Sequence, residues 1–188
     1  LKALLAPDGR AILEFPHAVE MIAQGEFDTI YHEHVFYFTL TALEPLFVRH
    51  RLRLTRVERT PLHGGSLRIF ARHDSQEEDE TLAALRAEEA KLGVNTLDYF
   101  RDFSAKAEAI RTSLREHIVN LKSEGKTLAA YGAAAKGSTL LNFCGLTTND
   151  LAVVAERSPH KQGKRMPGSH VSIVPAEELA KRAPDVTL

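Results

Sequence analysis

Residues 27–34 read Phe-Asp-Thr-Ile-Tyr-His-Glu-His, the densest run of polar and aromatic side chains in the chain. Tyr, His and Glu are standard proton-transfer groups, and Tyr31, His32, Glu33 and His34 are consecutive. Two geometries are open. In an extended segment, side chains two apart share a face, so His32 and His34 would lie on one side and Tyr31 and Glu33 on the other. In a loop all four could converge. A polar loop with partly exposed histidines has the same composition. His-x-His can also supply two metal ligands, with His63 or His17 as a third, but no spacing specifies either, so no metal is expected.

A second motif is Tyr131-Gly132-Ala133-Ala134-Ala135-Lys136-Gly137-Ser138. It follows an apolar run with strand character and opens a helical one, the context in which backbone N–H groups at a helix N-terminus hold phosphate. Gly132, Ala134 and Gly137 follow the spacing of the dinucleotide fingerprint with Ala at its middle glycine. The order Lys136-Gly137-Ser138 excludes a P-loop, which needs Gly-Lys-Ser. Glu156 falls where a ribose-binding acid would sit. A glycine turn needed only for close helix–strand packing is the alternative. Two more patches face the same question. His63-Gly64-Gly65-Ser66-Leu67-Arg68 is a turn entering a strand, where Ser66 and Arg68 either face a ligand or are merely structural. Arg157 to Lys164 is basic; Arg157 and Lys161 there would complement a pyrophosphate.

Leu1–Leu5 reads as a helix end and Pro7-Asp8-Gly9 as a turn. Ala11–Phe15 is a short strand stopped by Pro16, which places Glu14 and His17 at a strand's C-terminal edge, the ligand-binding edge of open α/β sheets. Thr41–His50 is helical, Arg51–Arg59 alternates like a half-buried strand, and Ser66–Arg72 is a further strand. Residues 74–80 are acidic and read as a linker. Residues 81–123 read as two helices broken near Gly93-Val94-Asn95, with Leu82, Leu85, Ala90 and Leu92 on the first apolar stripe. Phe103, Ala107, Ile110, Leu114, Ile118 and Leu121 mark the second. Residues 126–131, 151–155, 171–174 and 185–188 are strand candidates, alternating with helices over 136–144 and 176–181. Such alternation implies a small parallel sheet.

The 188 residues allow one or two domains. Hydrophobic residues at 44% suffice for a core, and a net charge of −1 gives no general attraction to nucleic acid or membranes. The lone Cys144 excludes an internal disulfide and is compatible with a cytoplasmic location, which is the expectation. No apolar run reaches the roughly 18 residues of a membrane-spanning helix, and no signal-peptide pattern is present. The chain opens on Leu and closes in a nascent strand, and is expected to be part of a longer protein.

Together, Glu14-Phe15-Pro16, Tyr31-His32-Glu33-His34, His63 to Arg68, Tyr131 to Gly137 continuing through Leu140-Leu141-Asn142, and Ser158 to Lys164 followed by Pro167-Gly168 resemble the sugar C-methyltransferases that use S-adenosylmethionine on nucleotide-linked keto-deoxysugars. The resemblance spans nearly the whole chain. It implies an α/β protein in three parts. Residues 1–73 would end a class I methyltransferase domain, 74–124 would form a linker and helical connector, and 125–188 would be a Rossmann-like C-terminal domain. The glycine-rich S-adenosylmethionine loop and the zinc cysteines of such proteins are absent, so most of the cofactor site would lie outside this chain. Glu156 departs from the family, which favours Asp there. The implied chemistry is removal of a proton beside the 4-keto group and attack of the enolate on the sulfonium methyl. His34 would be the base, Glu33 would orient or polarise it, Tyr31 would donate to the enolate oxygen, and His32 would belong to the same set or pack. Glu14, His17, Ser66, Arg68, Gly132, Lys136, Gly137, Asn142, Arg157 and Lys161 would contact the nucleotide diphosphate sugar. The competing readings are a fragment of an NAD-dependent oxidoreductase, with Glu156 on the ribose, and a nucleotide-sugar binding module without catalysis.

Overall fold

The computed structural model of the protein describes residues 1–73 and 78–188. The chain forms two compact units, residues 1–27 with 35–105, and residues 28–34 with 106–188.

In the first unit β1 (Ala11–Pro16), α1 (Ala18–Gln24), α2 (Leu40–Arg49), β2 (Leu52–Thr60) and β3 (Ser66–His73) are followed by α3 (Glu80–Leu92). The sheet order is β1-β3-β2, with β3 antiparallel to both neighbours. The strand, helix, strand, strand succession is therefore present, with α1 as an addition. On β2, Leu52 and Leu54 face inward, and a register shift between Leu54 and Arg56 turns Val57 inward as well. Leu40, Leu43, Phe47, Leu67 and Ile69 complete the core with Leu82 and Leu85 of α3.

Helix boundaries follow their caps. Thr39 accepts from the Ala42 N–H at 3.1 Å to start α2, and Asp79 accepts from the Thr81 N–H at 2.9 Å to start α3. Glu80 thus begins a helix instead of closing a linker; residues 74–77 of that expected linker lie outside the described residues. Nor is α3 a free connector. Its Leu82 and Leu85 are buried in the core of the sheet, and its Arg86 grips Glu44 of α2 at 2.6 Å. The third inward position on α3 is Glu89, while Ala90 and Leu92, expected on the apolar stripe, are exposed. α4 (Leu97–Ser123) runs from one unit into the other.

In the second unit α4 is followed by β4 (Leu128–Tyr131), α5 (Ala135–Phe143), β5 (Val154–Glu156), β6 (Ile173–Pro175), α6 (Ala176–Arg182) and β7 (Val186–Thr187). The strands form one parallel sheet in the order β6-β5-β4-β7. The protein is thus a mixed α/β fold with a small Rossmann-like sheet. The chain steps from β4 to β5 and β6 and then returns to the other side of β4. That makes the C-terminal end of β4 the switch point of the sheet, where open α/β folds bind ligands. β5 begins at Val154, three residues later than its apolar run, because the Asp150 carboxylate accepts the Thr147 N–H at 2.9 Å and holds the preceding residues in a turn. Ile118, Leu128, Leu141, Leu146, Val154 and Met166 fill the core. Cys144 is buried in this core, and that burial raises its thiol pKa. Among the described residues no helix is long and apolar enough to cross a membrane.

Candidate functional site

Residues 31–34 form a turn in which the His34 N–H donates to the Tyr31 carbonyl at 2.9 Å. Of the two geometries open to this segment the chain adopts the loop, and a turn brings together residues three apart, not two. Tyr31 Oη and His34 Nε2 share a hydrogen bond of 3.0 Å, with the rings edge to face at 4.8 Å. His32 is exposed, its ring 6.2 Å from that of Tyr31 in an edge contact. Glu33 is exposed as well, and its side chain has no hydrogen-bond or ion-pair partner among the described residues. The orienting contact expected from Glu33 is made to His34 by Tyr31. Among the described residues no group of three or more His, Cys, Asp or Glu side chains is placed to hold a metal ion.

The residues expected at the edge of β1 and in the turn before β3 are engaged within the protein. Glu14 and Arg68 face each other across β1 and β3 and form an ion pair at 2.8 Å, which Glu58 joins at 3.3 Å. Ser66 is buried and donates to the Leu62 carbonyl at 2.9 Å, closing the turn. His17 is only 1% exposed and bonds Glu89 at 3.0 Å. The placement of His17 at a ligand-facing edge is therefore corrected: His17 stands immediately before α1, and its ring is buried against Glu89 instead of facing the sheet edge.

The glycine turn sits at the switch point. Gly132 donates to the Ala155 carbonyl at 2.8 Å. The Glu156 carboxylate folds back over the turn and accepts from the Ala133 N–H at 2.9 Å and the Ser158 N–H at 2.9 Å. The Ser158 amide is the largest influence in holding the Glu156 carboxyl below its ordinary range; burial opposes it and the Ala133 amide and Lys161 add to it. Lys161 Nζ in turn donates to the Ala133 carbonyl at 2.7 Å. With both oxygens of Glu156 engaged, the turn is closed by the residue that the oxidoreductase reading assigned to a ribose. The first intrahelical bond of α5 runs from Ser138 to Ala134, so the amides of Ala135, Lys136 and Gly137 are the ones the helix leaves without internal acceptors. Asn142 donates to the carbonyls of Ser138 at 2.7 Å and Pro167 at 2.9 Å, tying α5 to the Pro167-Gly168 turn. Arg157 is exposed.

Gly132 and Gly137 serve different ends. A Cβ on Gly137 would come within 3.2 Å of the Gly132 carbonyl, so this glycine lets helix and turn approach closely. A Cβ on Gly132 would meet nothing within 4 Å, but its φ of +99° is one that side chains rarely adopt. Gly132→Ala is therefore expected to destabilise the second unit by about 1–3 kcal/mol through backbone strain alone. Thermal unfolding checks this, and an unchanged Tm would show that the turn relaxes freely.

The second unit thus combines a parallel Rossmann-like sheet, a glycine turn at its switch point and, grouped with it, a turn that pairs a tyrosine with a histidine. From residue 61 to 188 the chain matches the family described as the C-methyltransferase C-terminal domain, and it belongs to that family. It is 38% identical over 190 residues to the C-methyltransferase NovU of Streptomyces niveus, an alignment that covers all of this chain and 45% of the relative. The chain thus spans about half the length of the curated relative it matches.

Proposed function

We propose that the protein carrying this chain transfers a methyl group from S-adenosylmethionine to a carbon beside the ketone of a nucleotide-linked keto-deoxysugar, through an enolate. The observation that carries this reading is the 3.0 Å pairing of Tyr31 and His34. An enolate-forming site must take a proton from the α-carbon and stabilise charge on the carbonyl oxygen, atoms only two bonds apart. A base and a hydroxyl donor within hydrogen-bond reach of each other match that span. His34 takes the proton and Tyr31 donates to the developing enolate oxygen. Glu33 has no part in holding the His34 ring in this arrangement. The cofactor supplies an electrophilic methyl, which the enolate carbon attacks. Family membership and the relatedness to a C-methyltransferase support methyl transfer to carbon as the reaction class.

The second unit holds the nucleotide diphosphate, with the amides at the start of α5, Lys136 and Arg157 toward the phosphates. The closure of the glycine turn by Glu156 favours this over a dinucleotide in the conventional fit. A soluble cytoplasmic enzyme of sugar modification is the setting this chemistry suits.

The test is solvent exchange. The full-length polypeptide, given a nucleoside diphosphate 4-keto sugar in deuterated water without S-adenosylmethionine, is expected to wash deuterium into the carbon beside the ketone. With labelled S-adenosylmethionine it is expected to place the methyl label on that same carbon. Methyl incorporation on oxygen, or none at any carbon next to the ketone, would overturn the enolate reading.

A further inference from the structure

Glu89 lies on α3 with no exposed surface, a burial that a carboxylate tolerates only when its oxygens are fully supplied with donors. Four donors converge on it. Oε1 accepts from the ring of His17 at 3.0 Å and from the Leu40 N–H at 2.8 Å; Oε2 accepts from the Thr41 N–H at 2.7 Å and the Thr41 hydroxyl at 2.6 Å. Burial is the largest influence on this carboxyl and pushes its pKa up; the His17, Thr41 and Leu40 bonds outweigh it and hold the pKa below the ordinary glutamate value. An ionised carboxylate only accepts, so the His17 nitrogen facing it carries the proton. The other ring nitrogen of His17 is buried with no partner among the described residues, so the bond to Glu89 is the polar contact this ring makes.

What these donors have in common is their position in the chain. His17 stands immediately before α1, and Leu40 and Thr41 form the first turn of α2. Between them the chain makes one excursion, residues 18–39, which contains Tyr31 and His34. The excursion is closed at its base by the Ala18 N–H donating to the Phe38 carbonyl at 2.9 Å and by a bridge between His17 and Phe38. Glu89 comes from a third element, far away in sequence, and binds both ends at once. An apolar side chain at 89 would fill the same space without fixing one end against the other, whereas a fully satisfied buried polar network specifies one arrangement.

We propose that Glu89 is a positioning residue: bonded to His17 and to the first turn of α2, it clamps the two ends of the excursion that presents Tyr31 and His34. Its effect on turnover rests on the reading of His34 as the base; the clamp itself does not.

The test uses the full-length polypeptide with Glu89→Gln, which keeps the shape but only one of the two acceptor oxygens, Glu89→Ala, and His34→Gln as the comparator. Two quantities are read. Hydrogen exchange followed by mass spectrometry compares residues 25–39 with β3 and with residues 106–188. Steady-state kinetics separates kcat from KM. In Glu89→Ala, residues 25–39 are expected to exchange about tenfold faster or more while the rest keeps its protection. Its kcat is expected to fall about 100-fold, the cost of misplacing a catalytic group by roughly 1 Å, with KM changed less than about threefold. Glu89→Gln should move both readouts in the same direction by less. Unchanged exchange at 25–39 would overturn the clamp. So would a rise spread uniformly over the fold, which marks a merely structural residue. Local loosening with kcat intact, while His34→Gln is inactive, would overturn the positioning role. If instead His34→Gln keeps its turnover, the base assignment fails and the link to turnover fails with it, while exchange at 25–39 still decides the clamp.

Discussion

Replacing His34 by Gln or Ala in the full-length polypeptide is expected to lower kcat by about two to four orders of magnitude, the usual worth of a positioned general base, which is the role proposed for it. Affinity for the nucleotide-sugar should change little, because a base acts on the reacting proton and not on the bound ground state. Tyr31→Phe should cost less, since it removes one hydrogen-bond donor and leaves the base in place. The structure adds a condition that the sequence lacked. Tyr31 and His34 share a 3.0 Å hydrogen bond, so each variant also changes the surroundings of the other. Groups in one hydrogen-bonded pair are non-additive, and the double variant Tyr31→Phe/His34→Gln should be hardly worse than His34→Gln alone. Steady-state kinetics on the four proteins, with deuterium wash-in as a second readout, checks both points. Turnover near wild type in both His34 variants would remove it as the base. Fully additive losses would mean that the tyrosine and histidine act in separate steps.

The parts of the molecule legible in the sequence are those whose signal is local. The 3.6-residue spacing marks α2, α3 and α4 within a residue or two, and Gly132 to Gly137 marks the turn between β4 and α5. α1 escapes because seven residues are too few to establish a period, although Ala18, Val19, Met21 and Ile22 share a buried face and Glu20, Ala23 and Gln24 the other. Glu89 escapes for a different reason. Beside Arg86 and Glu88 it reads as solvent-facing charge, and its partners stand 48, 49 and 72 residues away. A signal was present all the same: Leu82, Leu85 and Glu89 are spaced by three and four, so the acid occupies the next position of the apolar stripe. The pairing within Tyr31 to His34 depended on whether the segment was extended or turned, and composition alone cannot choose between the two. His17, Ser66, Glu14 and Arg68 show the reverse case. Their types suit a ligand, but each finds its partner inside the first unit.

Lys136→Ala is expected to weaken binding of a thymidine or uridine diphosphate sugar by about 1–3 kcal/mol, roughly a five- to 150-fold rise in Kd. The structure sharpens the choice of lysine. Lys161 already donates to the Ala133 carbonyl and lies 3.7 Å from Glu156, so its charge serves the closed turn. Lys136 stands in the first turn of α5, beside the amides of Ala135 and Gly137, and makes no hydrogen bond or ion pair among the described residues. A cation placed at a helix N-terminus sits against the helix dipole, a position that costs a little in the free protein and is relieved by an anion. Lys136→Ala should therefore leave thermal stability unchanged or slightly raised while affinity falls, a combination that a packing role cannot produce. Calorimetric titration of wild type and variant, with the Tm of each, decides it. The affinity difference should also shrink as salt is raised, because Lys136 is only partly buried and salt screens a charge that solvent reaches. Equal affinities with both proteins folded would remove Lys136 from the phosphate site. Arg157 would then be the next residue to test, since Lys161 is held by Glu156 and the turn it closes.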